Sequence, residues 1–372
     1  MPVFEADGPE QVRQLFEYHL SAGLHHGGQL AVFRDGECVV DCAGGVTGPD
    51  GEETRTDTRH VLFSSTKPLA GVCLHQLAEA GDVAYDDRVV DHWPGFDRGD
   101  PGKAAVTVEH VLSHQAGLPL TPADSRIDLW NDWERVVDLV EEAELRFEPG
   151  STAAYHALSY GWLVGELVRR VSGQPIADYA REHVFEPLEM ANTSIGLREG
   201  SAAELVGFEP FDRCRDPSTG LDAGTNAESA ARFNQEGVRR AVVPAATGIG
   251  TARDLARFYA CLANGGELDG ARVLDPETVA RATTPHAEVE HDGTLGGPRR
   301  YGLGFVLGGS PYDKYGAVSP PTTFGHGGLG SSVGWGDAAD GYALAYVTNG
   351  IRDEYEHRAR TAVVSDAVRD LL

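Results

Sequence analysis

Lysine is the scarcest charged residue of this chain. Only Lys67, Lys103 and Lys314 occur among 31 basic residues in a sequence of 372. Arginine therefore carries almost all of the positive charge, and the 57 acidic residues leave a formal net charge of −26. Because so negative a protein repels the phosphates of nucleic acids and anionic membrane surfaces, we expect it to bind neither.

Long apolar segments are also missing from the sequence. No run of apolar residues approaches the ~20 residues that a helix needs to cross a bilayer. Residues 1–7 show no basic segment followed by an apolar one, which is the pattern of a secretory signal. We therefore expect a cytoplasmic protein.

Cysteine is sparse as well. Five cysteines, with no Cys-x-x-Cys pair among them, predict free thiols rather than a disulfide framework or a zinc site. His110 and His114 are spaced as a helical pair, but the sequence near them offers no third ligand, so a structural role is favoured. We expect neither a metal nor a cofactor. The cysteines are Cys38, Cys42, Cys73, Cys214 and Cys261.

One of the three lysines lies in the stretch that organises the chain, residues 63–70. Ser64 is a good helix N-cap residue, and apolar residues recur at helical spacing from Leu69 to Leu77. Ser64 and Lys67 are three apart, so their side chains share one side of the first turn. A serine hydroxyl needs a base, and a desolvated lysine amine can serve as one. Arginine could not, because it stays protonated.

Hydrophobic periodicity divides the chain into three parts. The period changes from helical to alternating after residue 300, and Asp35-Gly36 between two apolar runs predicts a hairpin. We predict an α/β (α+β) fold: an antiparallel sheet built from residues 1–80 and 281–372, flanked by helices, with a mostly helical lobe inserted over 81–280. Predicted strands are 29–33, 38–42, 60–63, 301–307, 322–324, 331–335 and 342–348; predicted helices include 9–22, 158–172, 174–186, 252–264 and 354–372.

Two segments, 209–240 and 283–300, lack clear periodicity. Both are predicted to be surface loops, although either could border a substrate cleft.

Two further motifs complete a set with Ser64 and Lys67. Tyr155 follows the Pro149-Gly150 break, and Gly325-His326-Gly327-Gly328 lies near the end of a predicted strand. Their order resembles that of the serine β-lactamase and penicillin-binding-protein superfamily, whose motifs are Ser-x-x-Lys, Tyr-x-Asn and Lys/His-Thr/Ser-Gly. The stretches 107–119 and 185–190 are also similar to this family.

The resemblance implies roles for these residues. Ser64 would attack an acyl carbonyl, and Tyr155, as a phenolate held by Lys67, would accept the proton and later activate water. The backbone N–H groups of Ser64 and Leu329 would form the oxyanion hole. The third motif, His326, Gly327 and Gly328, would contact the substrate.

Departures from the family pattern bear on the substrate. Tyr-x-Asn has become Tyr155-His156-Ala157, so the amide that grips substrate and lysine in β-lactam-processing members is gone. Gly327 lacks the hydroxyl that would bind a substrate carboxylate. A site that loses polar partners loses discrimination for the groups they held. The combination is similar to the family VIII carboxylesterases and implies a serine esterase acting on small or medium uncharged esters.

Three alternatives remain open at this stage. The first is a β-lactamase or D-Ala-D-Ala carboxypeptidase, and the second is a non-catalytic sensor on the same scaffold. The third is an α/β-hydrolase, because residues 330–334 fit Gly-x-Ser-x-Gly around Ser332. That fold needs a turn into a helix at the serine, whereas here a strand is predicted. Tryptophans that could line an apolar pocket, although core packing is their commoner role, are Trp130, Trp133, Trp162 and Trp335.

Overall fold

The computed structural model describes residues 8–49, 51–208, 225–310, 313–317 and 319–372. Its strands are β1 (Gly27–Arg34), β2 (Glu37–Gly45), β3 (His60–Val61), β4 (Ser194–Ile195), β5 (Val206–Gly207), β6 (Gly248–Gly250), β7 (Glu267–Leu268), β8 (Ala271–Arg272), β9 (Ala287–Val289), β10 (Arg299–Tyr301), β11 (Val306–Leu307), β12 (Thr323–Gly327), β13 (Ser332–Asp337), β14 (Tyr342–Thr348) and β15 (Gly350–Ile351). Its α-helices are α1 (Pro9–Ser21), α2 (Lys67–Glu79), α3 (Val89–His92), α4 (Val108–Leu112), α5 (Pro122–Ser125), α6 (Trp133–Glu141), α7 (Ser159–Ser172), α8 (Ile176–Ala180), α9 (Asn226–Asn234), α10 (Glu236–Arg240), α11 (Ala252–Ala263), α12 (Pro276–Ala282) and α13 (Glu354–Leu371).

The main sheet joins the two ends of the chain. Its eight strands run in the order β2-β1-β14-β13-β12-β11-β10-β9, and every pairing is antiparallel. The N-terminal hairpin therefore lies beside the last long strand, β14. This arrangement confirms the predicted antiparallel sheet built from the terminal segments and flanked by helices.

The predicted hairpin between β1 and β2 is confirmed. Asp35 and Gly36 both have positive φ, 50° and 83°, as a tight two-residue turn requires. Glycine takes this conformation without steric cost, and aspartate is one of the few other residues that tolerates it. The turn matches the twist of the flanking strands and sets their register.

Helices cover both faces of the sheet. On one face, α1 and α13 bury Val12, Phe16 and Val364 against Val32 and Leu344 of the strands. On the other face, α11 packs against β1, β13 and β14. The close approach of α11 depends on a glycine, because a Cβ at Gly334 would lie 2.4 Å from the Tyr259 ring.

The helix that follows the nucleophile motif is buried on nearly all sides. In α2 the predicted apolar face, Leu69 to Leu77, is buried, and Pro68 lies in the first turn, where proline costs no helical hydrogen bond. We had predicted that Ser64 is the N-cap of this helix, and that prediction is wrong. A 3₁₀ turn over Phe63–Thr66 precedes α2, and Thr66 holds the cap position.

Other sequence predictions differ from the structure in identifiable ways. The strand predicted over 301–307 is a hairpin of β10 and β11, because Gly304 at φ 86° reverses the chain. The segment 209–240 includes α9 and α10, and its residues 209–224 lie outside the described part of the chain. The helix predicted over 174–186 is α8 followed by a π-helical turn at Arg181–Phe185.

The division into a sheet domain and an inserted lobe stays a prediction. The connecting region contains α3 to α10, as its helical pattern predicted, but α11 lies on the sheet although its residues fall within 81–280. The free thiols predicted for Cys38, Cys42, Cys73 and Cys261 are confirmed, and Cys214 lies outside the described residues. Trp130, Trp162 and Trp335 are core residues, and Trp133 packs at the core's edge.

Among the helices that the structure describes, none has both the length and the apolar character that a membrane crossing requires.

Four buried histidines predict a loss of stability in mild acid. Burial lowers the pKa of His19, His60, His75 and His156 to about 4, whereas histidine in an unfolded chain titrates near 6.5. As the pH falls from 6.5 to 4, these histidines therefore bind protons in the unfolded state but stay neutral in the folded state. We expect the free energy of unfolding to fall by up to about 1.4 kcal/mol per pH unit for each histidine.

Urea unfolding at pH 7.5, 6.5 and 5.5 measures this slope. The variant His60→Asn should show a shallower slope than the wild type, whereas the exposed His291→Asn should not change it. A wild-type free energy of unfolding that stays constant from pH 7.5 to 5.5 would contradict the prediction.

Candidate active site

Ser64 lies in a tight turn between a buried strand and a buried helix. The turn begins at Phe63, whose φ of 49° is uncommon for a residue other than glycine. Two contacts hold this conformation: the Thr66 hydroxyl donates to the Phe63 carbonyl at 2.5 Å and accepts the Gly248 N–H at 2.9 Å. Backbone strain of this kind is often found where a side chain must be presented in one fixed direction.

The side-chain nitrogen of Lys67 has three hydrogen-bond partners. It lies 2.7 Å from the Ala157 carbonyl oxygen, 3.2 Å from the Ala245 carbonyl oxygen and 3.1 Å from Ser64 Oγ. The side chain is fully buried. Lys67 therefore joins the nucleophile's turn to two other segments of the chain.

These partners define which protonation state of Lys67 is useful. A carbonyl oxygen can only accept, so two N–H groups of Lys67 point at Ala157 and Ala245. A neutral amine has two N–H groups and one lone pair, and the lone pair then faces Ser64 Oγ. Burial lowers the pKa of Lys67 well below its usual value, although the charge of Asp124 opposes the shift. The environment thus favours the neutral amine.

Tyr155 lies against both residues. Its hydroxyl shares a hydrogen bond with the Ser64 side chain, and its ring centroid is 4.7 Å from Lys67 Nζ. The amine therefore lies close to the phenol ring, and the contact between Lys67 and a phenolate oxygen stays a prediction. Burial raises the pKa of Tyr155, and the bond to Ser64 offsets only part of this rise. The resting side chain is therefore a neutral phenol.

A buried carboxylate positions the Tyr155 backbone. Asp292 Oδ1 accepts the Tyr155 N–H at 3.1 Å, and Oδ2 accepts the Tyr301 hydroxyl at 2.8 Å. Asp292 lies in the segment 283–300, and a Cβ at Gly293 would lie only 2.9 Å from that of Ala154. This segment therefore contacts the site, which is the alternative we had ranked below a surface loop.

Ala157 binds Lys67 through its backbone. We had inferred from the missing asparagine that this position could no longer hold the lysine. The carbonyl oxygen of Ala157 does so at 2.7 Å. The intervening His156 is structural: its ring donates to the Ala154 carbonyl at 2.6 Å and accepts the Leu118 N–H at 3.1 Å.

His326 of the third motif is buried beside Tyr155, with 5.9 Å between ring centroids. Its Nδ1 lies 2.8 Å from the Gly327 carbonyl, which can only accept, so Nδ1 carries the proton. Nε2 is then an acceptor, and it is buried without a partner among the described residues. Burial lowers the pKa of His326 well below its usual value, so the ring is neutral.

The loop after the third motif lies close to the nucleophile's turn. A Cβ at Gly328 would lie 2.4 Å from the Leu62 carbonyl oxygen and 3.1 Å from Phe63 Cβ. The Gly328 N–H donates to the Ser332 carbonyl at 2.7 Å, and the Gly330 carbonyl accepts the Arg352 N–H at 3.0 Å. Leu329 is therefore held between two fixed peptides next to Phe63-Ser64.

Ser332 is not a nucleophile elbow. It lies inside β13 and is fully buried, and its hydroxyl donates to the Leu62 carbonyl at 2.7 Å. No helix follows it, and His357 contacts its carbonyl, not its hydroxyl. His110 is likewise structural, because its Nδ1 accepts the Thr107 N–H at 3.2 Å in a capping box.

Sequence reasoning missed four residues of the site. Ala245 acts through a carbonyl, which every residue has, so no residue type marks it. Asp124, which is half-buried, and Asp292, which is buried, lie in segments whose sequence is typical of ordinary loops. Lys314 had a signal, since it is one of only three lysines, and it lies directly against Gly327.

Comparison with known proteins identifies the family of this chain. A family model described as Beta-lactamase matches residues 12–368. Esterase/beta-lactamase LipL of Mycobacterium tuberculosis is 36% identical over 343 residues, which cover 87% of this chain and 77% of that protein.

Two solved structures have the same fold. The crystal structure of a family VIII carboxylesterase superposes with a TM-score of 0.86 and 28% identity, covering 100% of this chain and 99% of that one. A penicillin-binding protein homolog from Caulobacter crescentus gives a TM-score of 0.83 and 32% identity, covering 97% and 96%. The chain therefore belongs to the beta-lactamase family, in the superfamily of serine β-lactamases and penicillin-binding proteins, and is a hydrolase of that fold.

Proposed function

We propose that this protein is a carboxylesterase that cleaves small or medium uncharged acyl esters through an acyl-enzyme at Ser64. The observation that carries the proposal is the arrangement around Lys67 Nζ, which lies within hydrogen-bond distance of Ser64 Oγ and of two backbone carbonyls that accept its N–H groups. The names of LipL and of the family VIII carboxylesterase support an ester substrate.

Acylation begins when Lys67 takes the Ser64 proton as Oγ attacks the ester carbonyl. The oxyanion that forms is stabilised by the backbone N–H groups of Ser64 and Leu329. Tyr155 gives its proton to the departing alkoxide, so the alcohol leaves neutral. The acyl-enzyme then contains an ammonium at Lys67 and a phenolate at Tyr155, with the ammonium 4.7 Å from the ring.

Deacylation returns the protons. The Tyr155 phenolate takes a proton from water, and the hydroxide attacks the acyl carbonyl. When the tetrahedral intermediate collapses, Ser64 Oγ leaves and recovers its proton from Lys67. Tyr155 is thus an acid in the first half and a base in the second, which fits the raised pKa of its buried phenol.

Loss of charged groups from the third motif supports uncharged substrates. His326 is neutral, Gly327 has no side chain, and the net charge of −26 repels anions at long range. A penicillin or a peptide C-terminus carries a carboxylate, and nothing in His326, Gly327 or Gly328 replaces the cation that would bind it.

We expect Ser64→Ala to abolish hydrolysis of a short-chain nitrophenyl ester, by about 1000-fold or more, because the nucleophile is lost. Incubation of the wild type with a fluorophosphonate should add one phosphonyl group at Ser64, seen by intact mass and peptide mapping. The control variant Ser332→Ala should retain both ester hydrolysis and fluorophosphonate labelling at Ser64. Labelling at Ser332, or none at all, would refute the assignment and in the second case favour the non-catalytic sensor.

A substrate panel separates the esterase from its enzymatic rival. Wild type and Ser64→Ala are assayed on nitrophenyl esters, thioesters and a chromogenic cephalosporin. We expect kcat/KM for the neutral short-chain ester to exceed that for the cephalosporin by at least about 100-fold, since discrimination by lost polar contacts is large. Comparable values would identify a β-lactamase or carboxypeptidase instead.

Asp124 predicts a specific change in the pH profile. Burial raises the pKa of Asp124 to about 6, and its charge raises the pKa of Lys67. Removing that charge should lower the pKa of Lys67, so more neutral amine is present at a given pH. Asp124 is ionised above about pH 6, and its effect on Lys67 is expected there. In that range we expect Asp124→Asn to shift the acidic limb of the pH profile of kcat/KM towards lower pH.

Asp128, which is exposed and paired with Arg126, provides the control. Asp128→Asn should leave the limb in place. An Asp124→Asn limb that stays or moves to higher pH would contradict the coupling.

A further inference from the structure

A second lysine packs against the third motif. A Cβ at Gly327 would lie 2.4 Å from Cδ and 2.8 Å from Nζ of Lys314. Any larger residue at position 327 would therefore collide with this side chain. The volume that the family motif gives to a hydroxyl-bearing residue is filled here by a lysine from a separate loop.

Lys314 is paired with a carboxylate. Its Nζ lies 2.9 Å from Glu354 Oε2, where Glu354 is the first residue of α13. The lysine side chain is 15% exposed and the glutamate side chain 35% exposed, so the pair is partly open to solvent. The positive charge of Lys314 and the negative charge of Glu354 therefore sum to zero beside Gly327.

The pair is electrostatically coupled to the two rings of the site. The positive charge of Lys314 helps to lower the pKa of His326, and the negative charge of Glu354 helps to raise the pKa of Tyr155. His326 adds a neutral acceptor, Nε2, that is buried without a partner among the described residues. The third-motif side of the site thus presents polar groups whose charges cancel.

We propose that Lys314 and Glu354 together determine the charge of the substrates that the site accepts. A carboxylate on the substrate is attracted by Lys314 and repelled by Glu354, and an ammonium group experiences the reverse. While both residues are present the effects cancel, which favours uncharged substrates. The inference rests on the proposed esterase function and adds the residues that set its substrate preference.

Removing one partner should switch the preference. With Glu354→Gln, kcat/KM for an ester bearing a terminal carboxylate should rise about tenfold relative to its neutral analogue, and that for a trimethylammonium analogue should fall. With Lys314→Met the two ratios should change in the opposite directions. Tenfold corresponds to about 1.4 kcal/mol, a size expected for one partly screened charge.

The experiment uses three nitrophenyl esters of equal chain length that end in a methyl, carboxylate or trimethylammonium group. Control variants at the surface ion pair of Glu267 and Arg272 make the same changes in net charge. Glu267→Gln and Arg272→Gln should leave the ratios within about twofold, which excludes an effect of the overall field. Gly327→Ala should resemble Lys314→Met, because the added Cβ displaces the lysine stem.

The experiment distinguishes failure of this inference from failure of the esterase proposal. Unchanged ratios in Glu354→Gln, Lys314→Met and Gly327→Ala, with neutral-ester hydrolysis by the wild type intact, would overturn the role of the pair and leave the esterase standing. No hydrolysis of any of the three esters by the wild type would refute the esterase proposal and this inference with it. If Lys314→Met does not fold, the other two variants still decide.

Discussion

The site depends on the position of one nitrogen atom between two backbone carbonyls. Lys67 Nζ contacts the oxygens of Ala157 and Ala245, and both are acceptors that leave a neutral amine a single direction for its lone pair. The two carbonyls come from segments far apart in the chain, and α2 carries the lysine between them. Burial of α2 on nearly all sides keeps the pocket dry, and dryness is what lowers the pKa of the amine.

Two departures from the family motifs leave the hydrogen bonds of Lys67 in place. The lysine needs a hydrogen-bond acceptor, not an asparagine, and the Ala157 carbonyl is one. Without Asn the pocket loses an amide that could grip a substrate side chain, and with neutral His326 it loses a cation. We propose that Ser64, Lys67 and Tyr155 still supply the nucleophile, the base and the acid, and that Lys314 and Glu354 set the charge preference on the substrate side.

Features that are encoded locally could be predicted from the sequence. The Asp35-Gly36 hairpin, the terminal strands, the closing helix and the pairing of Ser64 with Lys67 all depend on residues within one turn or one strand of each other. The sheet followed from the change of period after residue 300. Family resemblance added Tyr155 and the third motif, which local patterns alone would have left as isolated residues.

What could not be predicted depends on backbone groups or on distant contacts. The Phe63–Thr66 turn is stabilised by Gly248, and the Tyr155 backbone by Asp292, and neither partner has a sequence signature for its role. The resting protonation of Tyr155 is decided by burial, which only the packed structure reveals. The sequence shows that position 327 lacks the hydroxyl of the family motif. It does not show that Lys314, from a separate segment, fills the space beside Gly327.

The central claim is that burial lowers the pKa of Lys67, so that its neutral amine is available as the base for Ser64. With only three lysines in the chain, NMR of protein labelled with ¹³C and ¹⁵N lysine gives three side-chain signals, and Lys67→Met identifies the one from Lys67. We predict that this signal titrates well below the usual value of about 10.4. A Lys67 signal that stays that of an ammonium up to pH 10 would contradict the account.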